Sequence, residues 1–281
     1  MNIGVVGAGL MGAEVALVFA LAGHPVVLND LDDTALERGM LRLTNLLDKG
    51  VDRSFYTREE ADAALARIHT TPDLKGLADC HLVTEAVFEA LEAKEKVLRA
   101  LDNICQPECI LASNTSTLPI STLAAVLAPA RRHRFLGTHY FSPVSRMKLV
   151  EVIPAFDTDN AVTTQVTDML RHIGKEPVQV KDVAGFAVNR LLHAMLIEAV
   201  KLVEEGVATP EDLDTACRLG LGHAIGPFAL MDAVTSSLCL QVQDILHDAY
   251  GERFRPPALL KQRVAAGLTG GRDGAGWLQR G

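Results

Sequence analysis

Basic residues are in the minority in this chain. Its 281 residues carry 27 lysines and arginines against 35 aspartates and glutamates, a formal net charge of −8. A nucleic-acid binder carries a basic footprint, so no nucleic-acid partner is expected. A disulfide framework is also lacking. The five cysteines, Cys80, Cys105, Cys109, Cys217 and Cys239, are odd in number and irregularly spaced. Cys105 and Cys109 have no second pair at zinc-binding spacing, so no metal site is expected. Reduced thiols in a cytoplasmic protein are the expectation. No apolar run approaches the ~20 residues of a membrane helix. Residues 15–22 are apolar, but they are few and follow a glycine loop, which predicts a buried helix. Residues 1–6 show no basic stretch or cleavage site, so no signal peptide is expected. What is present is ordinary globular composition: 48% hydrophobic and 22% charged.

The order of elements is more informative. Residues 2–6 form a β-rich run that leads into a glycine loop. Residues 13–22 are apolar and helix-prone, and Gly23 is placed to end that helix. A second strand over 25–29 ends at Asp30. This is strand, turn, helix and strand within one βαβ length. Residues 32–67 then read as a helical hairpin. Leu36, Met40, Leu43 and Leu47 recur at helical spacing. Gly50 is expected to break the first helix, and Thr57-Arg58-Glu59-Glu60 fits a capping box for the second.

Further strands are expected at 67–70, 81–85, 110–113, 135–139, 149–153 and 178–180. Several alternate with helices, as in a doubly wound sheet. Beyond Lys181 no strand is expected. Residues 186–205 follow an amphipathic helix pattern, and Thr209-Pro210-Glu211-Asp212 reads as a helix start. Gly226-Pro227 is expected to open a long helix, and Pro256-Pro257 another. The predicted architecture is α/β: a Rossmann domain over 1–183 with a mostly parallel sheet and a helical hairpin insertion. An all-α domain follows over 184–281.

Gly7-Ala8-Gly9-Leu10-Met11-Gly12 is a G-x-G-x-x-G motif between a strand and a helix. Gly7 permits the tight turn, Gly9 lets a pyrophosphate approach the backbone, and Gly12 lets helix and strand pack closely. The helix start, with Leu10 and Met11, offers free N–H groups to phosphate. Asp30 follows at the end of the second strand, where a carboxylate binds a ribose hydroxyl and repels a 2′-phosphate. No arginine follows it, so NAD is expected over NADP.

Two residues farther along demand each other. His139 ends a predicted strand. Glu151 sits inside the apolar run Leu149-Val150-Glu151-Val152-Ile153, where a carboxylate without a partner is costly. A His139–Glu151 pair resolves both positions. The cluster Arg131-Arg132-His133-Arg134 is read as a solvated turn.

Residues 113–117 (SNTST), 137–153 (GTHYFSPVSRMKLVEVI) and 185–190 (GFAVNR) fall at spacings that resemble the L-3-hydroxyacyl-CoA dehydrogenase family. That family includes the 3-hydroxybutyryl-CoA dehydrogenases. The resemblance runs nearly end to end, through the glycine loop, Thr84-Glu85-Ala86-Val87-Phe88-Glu89 and Gly226-Pro227-Phe228. It implies NAD-dependent, reversible oxidation of a short-chain 3-hydroxyacyl-CoA. The family's catalytic histidine falls on His139 and the glutamate that orients it on Glu151. Its substrate-contacting serine falls on Ser116, and the asparagine that closes the site on Asn189. The resemblance also implies that Glu85 and Lys94 lie near the cofactor, and that the helical domain forms a homodimer.

The chain departs from the family in places. Ser142 stands where HFFNP has asparagine. Asn45 stands where many relatives carry a lysine that contacts the CoA phosphates, with Arg38, Arg42 and Lys49 at helical spacing around it. Thr235-Ser236-Ser237 and Gly274-Ala275-Gly276-Trp277 also differ. Two alternatives follow: a dehydrogenase of free hydroxy acids of the gulonate or carnitine type, and a catalytically idle dinucleotide-binding protein.

Overall fold

A computed structural model describes residues 1–271 and 274–278. The chain packs as two compact units, Met1–Asp182 and Val183–Gly281. Residues 272–273 and 279–281 of the expected second domain lie outside the described residues.

In the first unit β1 (Ile3–Val6) leads into α1 (Leu10–Leu21) and β2 (Val26–Asn29). The hairpin follows as α2 (Asp33–Asp52) and α3 (Arg58–Ala66), then β3 (Ile68–Thr71) and β4 (Leu82–Glu85). Next come α4 (Leu91–Ile104), β5 (Ile110–Ser113), α5 (Ile120–Ala124), α6 (Pro129–Arg132) and β6 (Phe135–Tyr140). The unit ends with β7 (Leu149–Pro154), α7 (Asn160–His172) and β8 (Glu176–Gln179). The strands form one eight-stranded sheet in the order β3-β2-β1-β4-β5-β6-β7-β8. All neighbours run parallel except β6 and β7. The strand order reverses between β2 and β4 around β1, and ligands of such sheets bind beyond the carboxyl ends of the strands at that point.

Helix α1 is apolar nearly all round and is buried along most of its length, as such a helix must be. The one buried charge on it, Glu14, accepts hydrogen bonds from the Ser145 N–H and hydroxyl. The Thr57–Glu60 capping box is formed in both directions, and Thr57 opens α3 as the sequence predicts. Gly50 does not break α2, which runs through it to Asp52. Its glycine is a packing requirement: a Cβ there would lie 2.6 Å from the Tyr56 ring. The last strand begins two residues earlier than predicted, at Glu176.

The basic turn before β6 also differs from expectation. Arg131 is buried, ion-paired with Asp102 at 3.1 Å, and donates to the carbonyls of Cys105, Gln106 and Cys109. Its flat five-donor head closes the turn after α4, a geometry that composition does not reveal.

The second unit holds α8 (Val188–Glu204), α9 (Pro210–Gly220), α10 (Pro227–Val234), α11 (Ser236–Tyr250) and α12 (Ala258–Ala265). No strand occurs among its described residues. Thr209 caps α9, with Pro210 in the first turn. The long helix expected from Pro227 is split instead, because Thr235 adopts a φ of +84° and restarts the chain as α11. Asp214 accepts from the Phe228 and Ala229 N–H groups and so caps α10. The divergent tail joins this core: Trp277 packs on Phe228 and its indole N–H bonds Ser236.

Candidate active site

The glycine loop lies at the carboxyl end of β1. Gly7 has φ +103°, and a Cβ there would strike the Ala86 carbonyl at 2.6 Å. A Cβ on Gly12 would strike the Gly7 carbonyl, which fixes the close approach of loop and helix. Gly9 is the reverse case. Nothing lies within 4 Å of where its Cβ would be, and no side chain caps the first N–H groups of α1. The loop thus presents open space in front of helix N–H donors, the arrangement a pyrophosphate requires. Asp30 extends beyond β2, with Oδ2 2.6 Å from the Ala8 N–H and Oδ1 2.7 Å from the Leu31 N–H. Its carboxylate is thereby locked beside the loop. These residues fit a dinucleotide.

The second cluster is built by strand pairing. His139 of β6 and Glu151 of β7 are direct partners in the antiparallel ladder, so both side chains project from one face. His139 Nδ1 lies 2.8 Å from Glu151 Oε2, and the residues are 4% and 0% exposed. An ionised carboxylate only accepts, so the Nδ1 proton points to Glu151 and Nε2 is left as an acceptor. Ser116 Oγ stands 3.1 Å from that Nε2. Phe141 packs on the imidazole, with ring centroids 4.5 Å apart. Asn114 accepts from the Tyr140 N–H at 2.9 Å and ties the Ser116 segment to the end of β6. A neutral imidazole held at one nitrogen and facing a hydroxyl at the other is equipped for general acid–base chemistry.

Of the four expected catalytic residues, His139, Glu151 and Ser116 come together in the first unit. Asn189 lies in the first turn of α8, in the second unit. Glu85 and Lys94, expected near the cofactor, form a buried ion pair. They are 0% and 1% exposed and pair with each other at 2.8 Å. Glu85 also accepts from the Val87 N–H and the Ser113 hydroxyl. A buried ammonium must be fully paired, and Lys94 reaches Glu85, Glu89 and the Val87 carbonyl.

Glu89 is the residue that reading the sequence missed. Its Oε1 accepts from the Thr115 hydroxyl and from the N–H groups of Ser116 and Thr117. Burial alone would push its carboxyl up, but Lys94 and these donors together hold it below the ordinary value. It stands in the quoted run 84–89, yet no local pattern marks it. All five cysteines are free thiols, and no cluster of metal-ligating side chains occurs among the described residues. Among those residues no helix is long and apolar enough to cross a membrane.

Comparison with known proteins agrees with this geometry. Residues 2–183 match the NAD binding domain of 3-hydroxyacyl-CoA dehydrogenase, and residues 185–280 match its C-terminal domain. A probable 3-hydroxybutyryl-CoA dehydrogenase of Deinococcus radiodurans is 40% identical, with 99% of this chain and 100% of that protein aligned. The crystal structure of Mycobacterium tuberculosis FadB2 superposes with a TM-score of 0.95 at 36% identity, covering 99% of this chain and 98% of that one. That of the (S)-3-hydroxybutyryl-CoA dehydrogenase from Ralstonia eutropha gives 0.92 at 37% identity, covering 96% and 95%. With a buried His139–Glu151 pair and an open glycine loop in the same unit, and family matches over both units, the chain belongs to the NAD-dependent 3-hydroxyacyl-CoA dehydrogenase family.

Proposed function

We propose that the protein reversibly oxidises a short-chain L-3-hydroxyacyl-CoA, of the 3-hydroxybutyryl class, to the 3-oxoacyl-CoA, with His139 as the general acid–base. The observation that carries this reading is the 2.8 Å contact of His139 Nδ1 with buried Glu151 while Nε2 faces Ser116. Bound NAD supplies the hydride acceptor in oxidation and, when reduced, the donor. Neutral His139 takes the 3-hydroxyl proton at Nε2, and Glu151 stabilises the imidazolium that results. In the opposite direction protonated His139 returns the proton to the oxygen. The Ser116 hydroxyl donates to the oxygen as charge develops there and is not a covalent nucleophile. Asn189 is proposed as a further donor to that oxygen, on the resemblance alone.

Gly7, Gly9 and Gly12 shape the loop, and the N–H groups of Leu10 and Met11 are the proposed pyrophosphate donors. Asp30 keeps free lone pairs for a ribose hydroxyl and repels a 2′-phosphate, which favours NAD. Glu85 and Lys94 serve this site from behind, as a fixed ion pair. For the CoA carrier, Arg38, Arg42 and Lys49 support the reading. They are exposed on the same face of α2 as Asn45, and arginine suits phosphate well. Leu191, Leu219 and Leu221, 74%, 82% and 67% exposed on the helical unit, support homodimerisation through that unit. Free cysteines throughout support a cytoplasmic setting.

The test is NADH consumption with acetoacetyl-CoA, run beside NADPH and beside free acetoacetate. Turnover only with NADH and the thioester is expected. Equal turnover of free acetoacetate would replace the CoA reading with a free-acid one. NADH binding without turnover of either substrate would leave an idle dinucleotide-binding protein.

A further inference from the structure

The loop between β6 and β7 has no regular structure, yet two buried charges from other elements hold it. It turns on itself, with the Arg146 and Met147 N–H groups both donating to the Pro143 carbonyl, at 3.0 and 2.9 Å. From α1, the Glu14 carboxylate, 3% exposed, accepts from the Ser145 N–H at 3.1 Å and from its hydroxyl at 3.3 Å. From the turn before β8, the Lys175 ammonium, 6% exposed, donates to the Val144 carbonyl and, at 2.9 Å, to the Met147 carbonyl. An anion on a loop N–H and a cation on loop carbonyls satisfy both polarities of a backbone that has no strand partner there. Burial pulls the Lys175 ammonium below its ordinary range, and the charge of Glu14 works against that loss.

Helix α1 needs no charge in order to pack, because it is apolar nearly all round. A carboxylate on it costs desolvation that its bonds to Ser145 must offset. What the carboxylate adds is a fixed register between two parts of the unit. Helix α1 opens at the glycine loop, and Glu14 follows Gly12 in its first turns. The clamped loop begins at Phe141, whose ring packs on the His139 imidazole with centroids 4.5 Å apart.

We propose that Glu14 and Lys175 are positioning residues: they clamp the β6–β7 loop to α1 and to the turn before β8, and thereby set Phe141 against the His139 imidazole. The inference rests on the proposed acid–base role of His139.

The test compares wild type, Glu14→Leu, Glu14→Gln, Lys175→Met, Phe141→Leu and the double variant Glu14→Leu/Phe141→Leu in NADH turnover of acetoacetyl-CoA, with Tm measured on each. Glu14→Leu exchanges a buried charge for an apolar side chain of similar size, so its Tm is expected to hold or rise. Its kcat is expected to fall by about 10- to 30-fold. That is less than the ~100-fold cost of a direct misplacement by about 1 Å, because the link passes through Phe141. Glu14→Gln keeps an accepting oxygen and is expected to recover to within about 3-fold of wild type. Lys175→Met is expected to lower kcat as Glu14→Leu does. The NADH Kd is expected to stay within about 3-fold throughout, because the glycine loop is untouched. If the clamp acts through Phe141, the double variant falls within about 3-fold of Phe141→Leu alone. Losses that multiply in the double variant would overturn the proposal, and so would an unchanged kcat in Glu14→Leu. An NADH affinity that falls in step with kcat would also overturn it, because Glu14 would then serve the cofactor helix.

A second readout does not depend on turnover: the ¹⁵N shift of His139 Nε2 in the NADH complex. It is expected to move in Glu14→Leu and Lys175→Met and to return in Glu14→Gln, which also covers the case of a lysine variant that does not fold. A shift that stays at the wild-type position in Glu14→Leu contradicts the clamp. A wild type that turns over no 3-oxo thioester contradicts the dehydrogenase reading instead, and the His139 shift still decides the clamp.

Discussion

The two units differ in how their buried charged and amide side chains are partnered. The first unit contains three buried ion pairs, Glu85 with Lys94, Arg131 with Asp102, and His139 with Glu151, beside buried hydroxyls of Thr84, Thr138 and Tyr140 that have no hydrogen-bond partner. In the second unit the core between α8 and α11 contains His193 and Gln243. They are 4% and 0% exposed. His193 Nδ1 and both amide atoms of Gln243 have no hydrogen-bond partner. The two positions fall at the same level of the helix pair. Arg190 stacks on Tyr250 near one end, and Leu196, Ala199 and Val200 share a cluster with Cys239 near the other. Burying paired ions costs desolvation energy that their attraction and hydrogen bonds offset. Burying an unpaired amide has no such offset. The difference teaches where buried polarity serves a purpose. In the first unit Glu85–Lys94 and His139–Glu151 brace the candidate site and Arg131–Asp102 braces the turn after α4, whereas the unpartnered atoms of His193 and Gln243 hold no backbone group in place.

That contrast can be broken or sharpened by substitution. Lys94→Met leaves Glu85 charged, buried and without its ammonium. A destabilisation of about 3–5 kcal/mol is expected in urea unfolding, and a loss below about 1 kcal/mol would show that the cluster is not a structural foundation. The second expected effect concerns acid. Burial pushes the His193 imidazole down to about 4, well below the ordinary histidine range. A histidine held neutral in the folded state adds stability above its unfolded pKa. That stability is lost as pH falls from about 6.5 toward 4, on the order of 3 kcal/mol in all. His193→Leu should flatten the acid-side slope of Tm against pH between those limits. An unchanged slope would assign acid sensitivity to other groups.

The smallest effect has the opposite sign. Gln243→Met removes two unpartnered atoms at nearly constant volume and should stabilise by about 1–2 kcal/mol at pH 7. Destabilisation by this change would mean that the amide is satisfied in solution, by a buried water for instance.

The same contrast separates what the sequence makes legible from what it hides. Short β-rich runs located the strands, and the Thr57–Glu60 spacing located a helix start, because both are short-range signals. Glu151 was legible for a different reason: a carboxylate in an apolar strand requires a partner, and His139 was the one available. Glu89 was not legible, because its donors lie 26 to 28 residues away on another loop. Glu85 and Lys94 were expected near the cofactor, but sequence does not report that they bury against each other as an ion pair. Gly50 looked like a breaker because the Tyr56 ring that requires a glycine there is supplied by the turn after the helix. The break at Thr235 likewise depends on a backbone angle that the apolar pattern does not encode.

The proposed roles are separable: His139 moves the proton, and the glycine loop holds the dinucleotide. His139→Gln tests this most directly, through kcat with acetoacetyl-CoA and the NADH Kd on the same preparation. A kcat lower by about 10²- to 10⁴-fold is expected, the usual worth of a positioned acid–base group. The NADH Kd should stay within about 3-fold of wild type, because no loop residue is touched. Turnover that survives within a few-fold of wild type would contradict the assignment of His139.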